Sequence, residues 1–171
     1  NIVNNTSEKI IFGENYNYGK NTYGFCYNDD LGKMNLPLPN LSGDFQISNV
    51  STAIATARKL DKFKIADSHI KEAIIKIRSE GRLQNITQGK LRNYVSKNNQ
   101  ILIDGAHNPL AASAIEKYLG TLNSKRKIIM LLGMMANKEH KKFIQMFKNR
   151  VHSIIALDIP NQENFIEKVK L

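Results

Sequence analysis

Between residues 100 and 157 short apolar runs alternate with stretches of helical period, and this alternation restricts the fold more than any other feature of the chain. Residues 100–104 read as a strand. Residues 109–119 read as a helix, with Asn108 at the N-cap and Pro109 in the first turn, where a missing N–H costs nothing. Residues 127–132 ("KIIMLL") form an unbroken apolar run, as a strand buried on both faces does; residues 139–148 read as a helix, and residues 151–157 ("VHSIIAL") as another buried strand. Strands separated by helices pair in parallel, because the helix carries the chain back to the starting edge of the sheet. The expected fold class is therefore α/β, with a mostly parallel sheet and right-handed crossovers.

Residues 1–46 lack that pattern. Segments 9–12, 22–27 and 36–39 set aromatic and aliphatic residues among Gly, Asn and Asp, which predicts short antiparallel strands and turns. From residue 47 the period becomes helical, with Val50, Ala53, Ile54, Ala57 and Leu60 on one stripe. A second helix is expected from an N-cap at Asp67 or Ser68, with Ile70, Ala73, Ile74 and Ile77 on its buried face and Gly81 as its stop. The change of pattern there predicts a junction between two domains, 1–80 and 81–171.

Composition narrows the function classes. At 42% hydrophobic residues the 171-residue chain can bury a core. No apolar run approaches the roughly 18 residues of a membrane span, and the first residues lack a signal-peptide pattern, so no membrane partner is expected. The lone Cys26 forms no internal disulfide, which fits a reducing cytoplasm and a small packing residue. A net charge of +10 invites a nucleic-acid reading. However, Lys59, Lys62, Lys64, Lys71 and Lys76 are scattered, and Lys125-Arg126-Lys127 reads as a solvated loop, so no nucleic-acid partner is expected. His69, His140 and His152 share no ligand spacing, and no metal site is assigned. Met130, Met134 and Met135 read as core or edge filling.

The chemistry concentrates at "ILIDGAHNP", residues 101–109. Open parallel sheets bind ligands beyond the carboxyl ends of their strands, and Asp104 stands at such an end. Gly105 permits a tight turn, and helix N-terminal N–H groups after Asn108 can face an anion. A carboxylate there can accept from a ribose diol, and His107 can hydrogen-bond to or stack on a base. Spacing alone leaves an alternative open, in which Asp104 and Asn108 only cap the helix and His107 is a surface residue.

These residues resemble the signature of the folylpolyglutamate synthase and dihydrofolate synthase family, within the Mur ligase superfamily. Two further segments match in order: "LPLPNLSGDFQISNVSTAIA" (residues 36–55) resembles the family's Leu-x-Gly-x-x-Gln-x-x-Asn segment, and "GRLQ" (residues 81–84) its joint between the central and C-terminal domains. The resemblance implies that residues 1–80 are the tail of a central ATP-binding domain and that residues 81–171 are most of a Rossmann-like C-terminal domain, both incomplete. It implies an ATP-dependent ligase that adds L-glutamate to folate or dihydropteroate through an acyl phosphate. It further implies nucleotide contacts from Asn49 to adenine, Arg82 to phosphates and Asp104 to ribose, with His107 beside it.

The phosphate-cradling Gly-x-x-Gly-Lys-Ser/Thr loop is absent; "GENYNYGKNT" (residues 13–22) has five residues between its glycines and reads as a turn-rich sheet segment. Asn137-Lys138-Glu139 departs from the family's Asp-Lys-Asp. The chain carries none of the family's magnesium ligands, which are expected in a missing N-terminal half together with the rest of the ATP–Mg²⁺ site. No catalytic residue is assigned, and the chain alone is expected to be inactive, monomeric and cytoplasmic, partnered by that half. The alternatives are a degenerate or stand-alone nucleotide-binding module, and a basic protein that binds nucleic acid.

Overall fold

The structure, a computed structural model, describes residues 9–60 and 62–167. The chain divides into two compact units between Glu80 and Gly81.

In the first unit an antiparallel meander, β1 (Tyr16–Asn21), β2 (Gly24–Asp29) and β3 (Gly32–Leu36), precedes helices α1 (Phe45–Arg58) and α2 (Asp67–Lys76). Side chains two residues apart share a sheet face, so the register that sets Phe25 opposite Leu36 and Tyr27 opposite Met34 gathers four apolar residues on one side. Ile47, Val50, Ile54 and Ala55 recur at helical spacing on α1, and Ile70 and Ile74 on α2 complete the same core. Gly24 is required by close approach, since a Cβ there would lie 2.0 Å from the Leu36 carbonyl oxygen. The segment 13–22 contains β1 and no phosphate loop.

The helix boundaries differ from expectation at α2. The N-cap is Ala66, and the helix ends at Lys76 rather than at Gly81. Ile77 is extended, and the Ile74 carbonyl, which the next helical turn would use, accepts instead from the Asn40 N–H at 3.2 Å.

The second unit runs β4 (Gln84–Asn85), a short 3₁₀ turn (Lys90–Tyr94), β5 (Leu102–Ile103), α3 (Pro109–Gly120), β6 (Ile129–Leu132), α4 (His140–Gln145) and β7 (Ser153–Ala156). The expected α/β class is observed, and β6, α4 and β7 form a strand–helix–strand unit with a parallel pair. Two expectations are corrected. β5 pairs antiparallel with β4, a two-residue strand that carries no periodic signal. β6 and β7 are not buried on both faces: Leu132 is buried, whereas Ile129, Leu131 and Ile155 are 59%, 64% and 48% exposed. An apolar run records that a strand is apolar, and a covering layer on each face is a tertiary property. Ala112, Ile115 and Leu119 of α3 are buried, as are Phe143 and Phe147 around α4, whose rings lie 5.3 Å apart. No helix among the described residues is long and apolar enough to cross a membrane.

Candidate functional site

Gly81, Arg82, Leu83 and Gln84 open the second unit in a turn with two left-handed residues, Gly81 at φ 64° and Leu83 at φ 43°. Glycine adopts that region freely, whereas a leucine there costs about 1–3 kcal/mol and persists only when its surroundings hold it. Leu83 is held at both ends: its side chain is 2% exposed, and its N–H donates to Asp104 Oδ2 at 2.8 Å. The Gly81 N–H donates to Gln84 Oε1 at 2.9 Å, and the Gly105 N–H donates to the Gly81 carbonyl at 2.8 Å. Two segments 21 residues apart are thereby laced into one structure.

Asp104 follows β5 and is half-buried. Its second oxygen, Oδ1, accepts from the Ala106 N–H at 2.7 Å. An ionised carboxylate offers about four lone-pair sites, so two bonds leave room for a hydroxyl pair. His107 is exposed, and its Nδ1 lies 3.0 Å from the Gly105 carbonyl oxygen. A carbonyl can only accept, so Nδ1 carries the proton and a neutral ring presents Nε2 as an acceptor. Asn108 caps α3, its Oδ1 accepting from the Ala111 N–H at 2.9 Å. The expected row of anion-facing amides is therefore shorter than the sequence suggests: Pro109 has no N–H, Ala111 is capped, and Leu110 is left.

Arg82 is exposed, and its guanidinium has no hydrogen-bond or ion-pair partner among the described residues. The structure thus brings Arg82, Asp104 and His107 onto two joined turns. Asn49 belongs to the first unit, on an exposed position of α1, where its Nδ2 donates to Gln46 Oε1 at 3.0 Å and its carbonyl oxygen is left as an acceptor. Sequence reasoning did not single out Leu83 and Gln84 as parts of the site. Leu83 looks like an ordinary core residue, and nothing in a single sequence signals a positive φ at a leucine.

The rest of the molecule offers less chemistry. A cleft of about 270 Å³ in the first unit is lined by Glu14, Tyr16, Asn28, Asp29, Asp30 and Lys59, none of them a predicted site residue. No group of three or more His, Cys, Asp or Glu side chains among the described residues is arranged to hold a metal ion.

Comparison with known proteins matches the second unit to the Mur ligase, glutamate ligase domain, over residues 81–170. The dihydrofolate synthase/folylpolyglutamate synthase of Buchnera aphidicola is 26% identical over 133 residues, covering 78% of this chain and 29% of that protein. Escherichia coli FolC, solved in complex with ADP, shares the fold at a TM-score of 0.76 and 23% identity, over 92% of this chain and 35% of that one. A bifunctional folylpolyglutamate synthase/dihydrofolate synthase solved with Mn, AMPPNP and L-glutamate bound gives the same TM-score of 0.76 at 19% identity, over 94% of this chain and 35% of that one. The chain spans about a third of the length of these relatives. With more than half of its residues covered by the domain match, the chain belongs to the Mur ligase family through its glutamate ligase domain.

Proposed function

We propose that this chain supplies one side of the nucleotide site of an ATP-dependent ligase that joins L-glutamate to folate or dihydropteroate in the cytoplasm. In this reading ATP phosphorylates the acceptor carboxylate, and the glutamate amine then displaces phosphate from the acyl phosphate. Arg82 reaches the phosphates, where a planar, permanently charged guanidinium suits paired oxygens. Asp104 accepts from the ribose hydroxyls with the lone pairs its two amide bonds leave over, and His107 offers Nε2 beside it. The free carbonyl oxygen of Asn49 accepts from the adenine amino group. Residues 1–80 are read as the tail of the central ATP-binding domain, and residues 81–171 as the C-terminal domain. The phosphate loop and magnesium ligands are assigned to a separate N-terminal half, which this reading makes the chain's partner.

The observation that carries the reading is the unpartnered Arg82 guanidinium on a turn fixed against the Asp104 carboxylate. Relatives solved with ADP and with AMPPNP support a nucleotide as the ligand class. Calorimetry with Mg–ATP tests it, on the chain alone and mixed with a phosphate-loop half from a synthase of this family. Weak or no binding is expected alone, and tight binding after mixing that Arg82→Ala removes. Tight binding by the chain alone would favour the stand-alone nucleotide module; equal binding with and without Arg82 would end the reading.

A further inference from the structure

Arg82 carries the one polar side chain of its turn without a partner among the described residues, yet the residues on either side of it are tied down. Gly81 is held through its carbonyl by the Gly105 N–H and through its own N–H by Gln84 Oε1. Leu83 is held in the left-handed region by Asp104 Oδ2, while Asp104 Oδ1 is spent on Ala106. A guanidinium that must meet phosphate without a partner of its own depends on the backbone to aim it. The only side-chain acceptor for the Leu83 amide among the described residues is the carboxylate of Asp104.

We infer that Asp104 is a positioning residue for Arg82: through the Leu83 amide it holds the turn in the conformation that presents the guanidinium. This rests on the nucleotide reading, in which Arg82 meets phosphate, and differs from it in what Asp104 does. A residue that only grips the sugar owes its effect to the ribose hydroxyls. A residue that acts through Arg82 affects nucleotides with and without them alike. The substitution Asp104→Asn separates the two roles, because it keeps the size of the side chain but offers a single acceptor oxygen. The new NH₂ group would then oppose one of the two amide donors.

Two measurements test the inference. The first needs no nucleotide. Arg82–Leu83 is itself a trypsin site, and a clamped left-handed turn does not fit a protease cleft. In Asp104→Asn, cleavage at this bond is expected to accelerate about tenfold, the scale of one charge-assisted hydrogen bond. Cleavage after Lys117, inside α3, should stay at the wild-type rate and so report an intact fold. If Asp104→Asn does not fold, Asp104→Ser, which keeps one acceptor, replaces it. An unchanged rate at Arg82–Leu83 would overturn the inference.

The second measurement compares Mg–ATP with Mg–2′,3′-dideoxy-ATP on the chain mixed with the phosphate-loop half. Asp104→Asn is expected to weaken both nucleotides, dideoxy-ATP by about tenfold. In an Arg82→Ala background it should have no further effect on dideoxy-ATP. Dideoxy-ATP affinity left intact by Asp104→Asn would assign Asp104 to the sugar alone and overturn the inference. If wild type binds neither nucleotide, the nucleotide reading fails, and the trypsin result still decides whether Asp104 holds the turn.

Discussion

Asp29 and Arg58 in the first unit and Asp104 and Arg82 in the second are the same two residue types put to opposite uses. Asp29 and Arg58 touch directly, Arg58 Nε lying 2.9 Å from Asp29 Oδ2, and their side chains are 4% and 8% exposed. The Nε approach is off the hydrogen-bonding angle and acts as a charge contact. Arg58 Nη1 also donates to Asp67 Oδ1 at 3.1 Å and to Met34 Sδ at 2.9 Å, and Asp29 also accepts from the Tyr27 hydroxyl and the Leu31 amide. In the second unit no ion pair joins the corresponding residues. The acid is spent on backbone amides, and the guanidinium stays exposed. A buried arginine with three partners ties β2, β3, α1 and α2 into one body. An exposed, unpartnered arginine on a rigid turn contributes little to folding and keeps its charge available. The difference separates a cation that holds the fold together from one whose charge stays open to solvent.

That contrast can be broken in the order of the effects it predicts. Arg58→Ala leaves the Asp29 carboxylate buried without its cation and is expected to cost about 3–5 kcal/mol, whereas Arg82→Ala is expected to stay within about 0.5 kcal/mol. Urea unfolding of the two variants compares them, and equal losses would erase the distinction. The next effect is on pH. Burial, and then the hydrogen bond to Asp29, push the Tyr27 hydroxyl well above the usual tyrosine range. A raised folded-state value favours the neutral form, so this contribution is fully present below pH ~10, the unfolded tyrosine value, and is lost as the pH climbs toward the folded one. Thermal melts of wild type should fall more steeply above that pH than those of Tyr27→Phe. Parallel curves would mean that the Tyr27–Asp29 contact is not felt. The smallest effect belongs to the second unit. Asn108→Ala removes the α3 cap and is expected to cost about 1 kcal/mol. A loss as large as that of Arg58→Ala would show that the second unit, like the first, depends on one hub residue.

Local chemistry was legible and pairing was not. Asn108 and Pro109 announced the start of α3, because cap and first-turn preferences act over three or four residues. The apolar stripe of α1 was visible, though its helix runs Phe45–Arg58 rather than the expected 47–60. The meander was anticipated as short antiparallel strands, but β1 fell in a segment read mainly for its turns. β4 was missed because two residues carry no period, and without it the antiparallel direction of β5 could not be foreseen. Gly81, expected to stop a helix, lies instead in the turn of the candidate site, where its positive φ serves the same freedom for a different purpose. Arg82, Asp104 and His107 were named from their motifs. The distribution of the Asp104 lone pairs between two amides is a three-dimensional fact that no spacing rule contains.

The half-covered parallel pair has a practical corollary. Ile129 and Leu131 on β6 and Ile155 on β7 form an oily ridge, and Lys127 stands two residues before Ile129 on the same alternation. Such a ridge favours colloidal self-association at high protein concentration, and at low salt the surplus positive charge opposes it. Buffers that screen this charge remove the repulsion and leave the ridge unchanged, so the chain is best purified and stored at modest ionic strength.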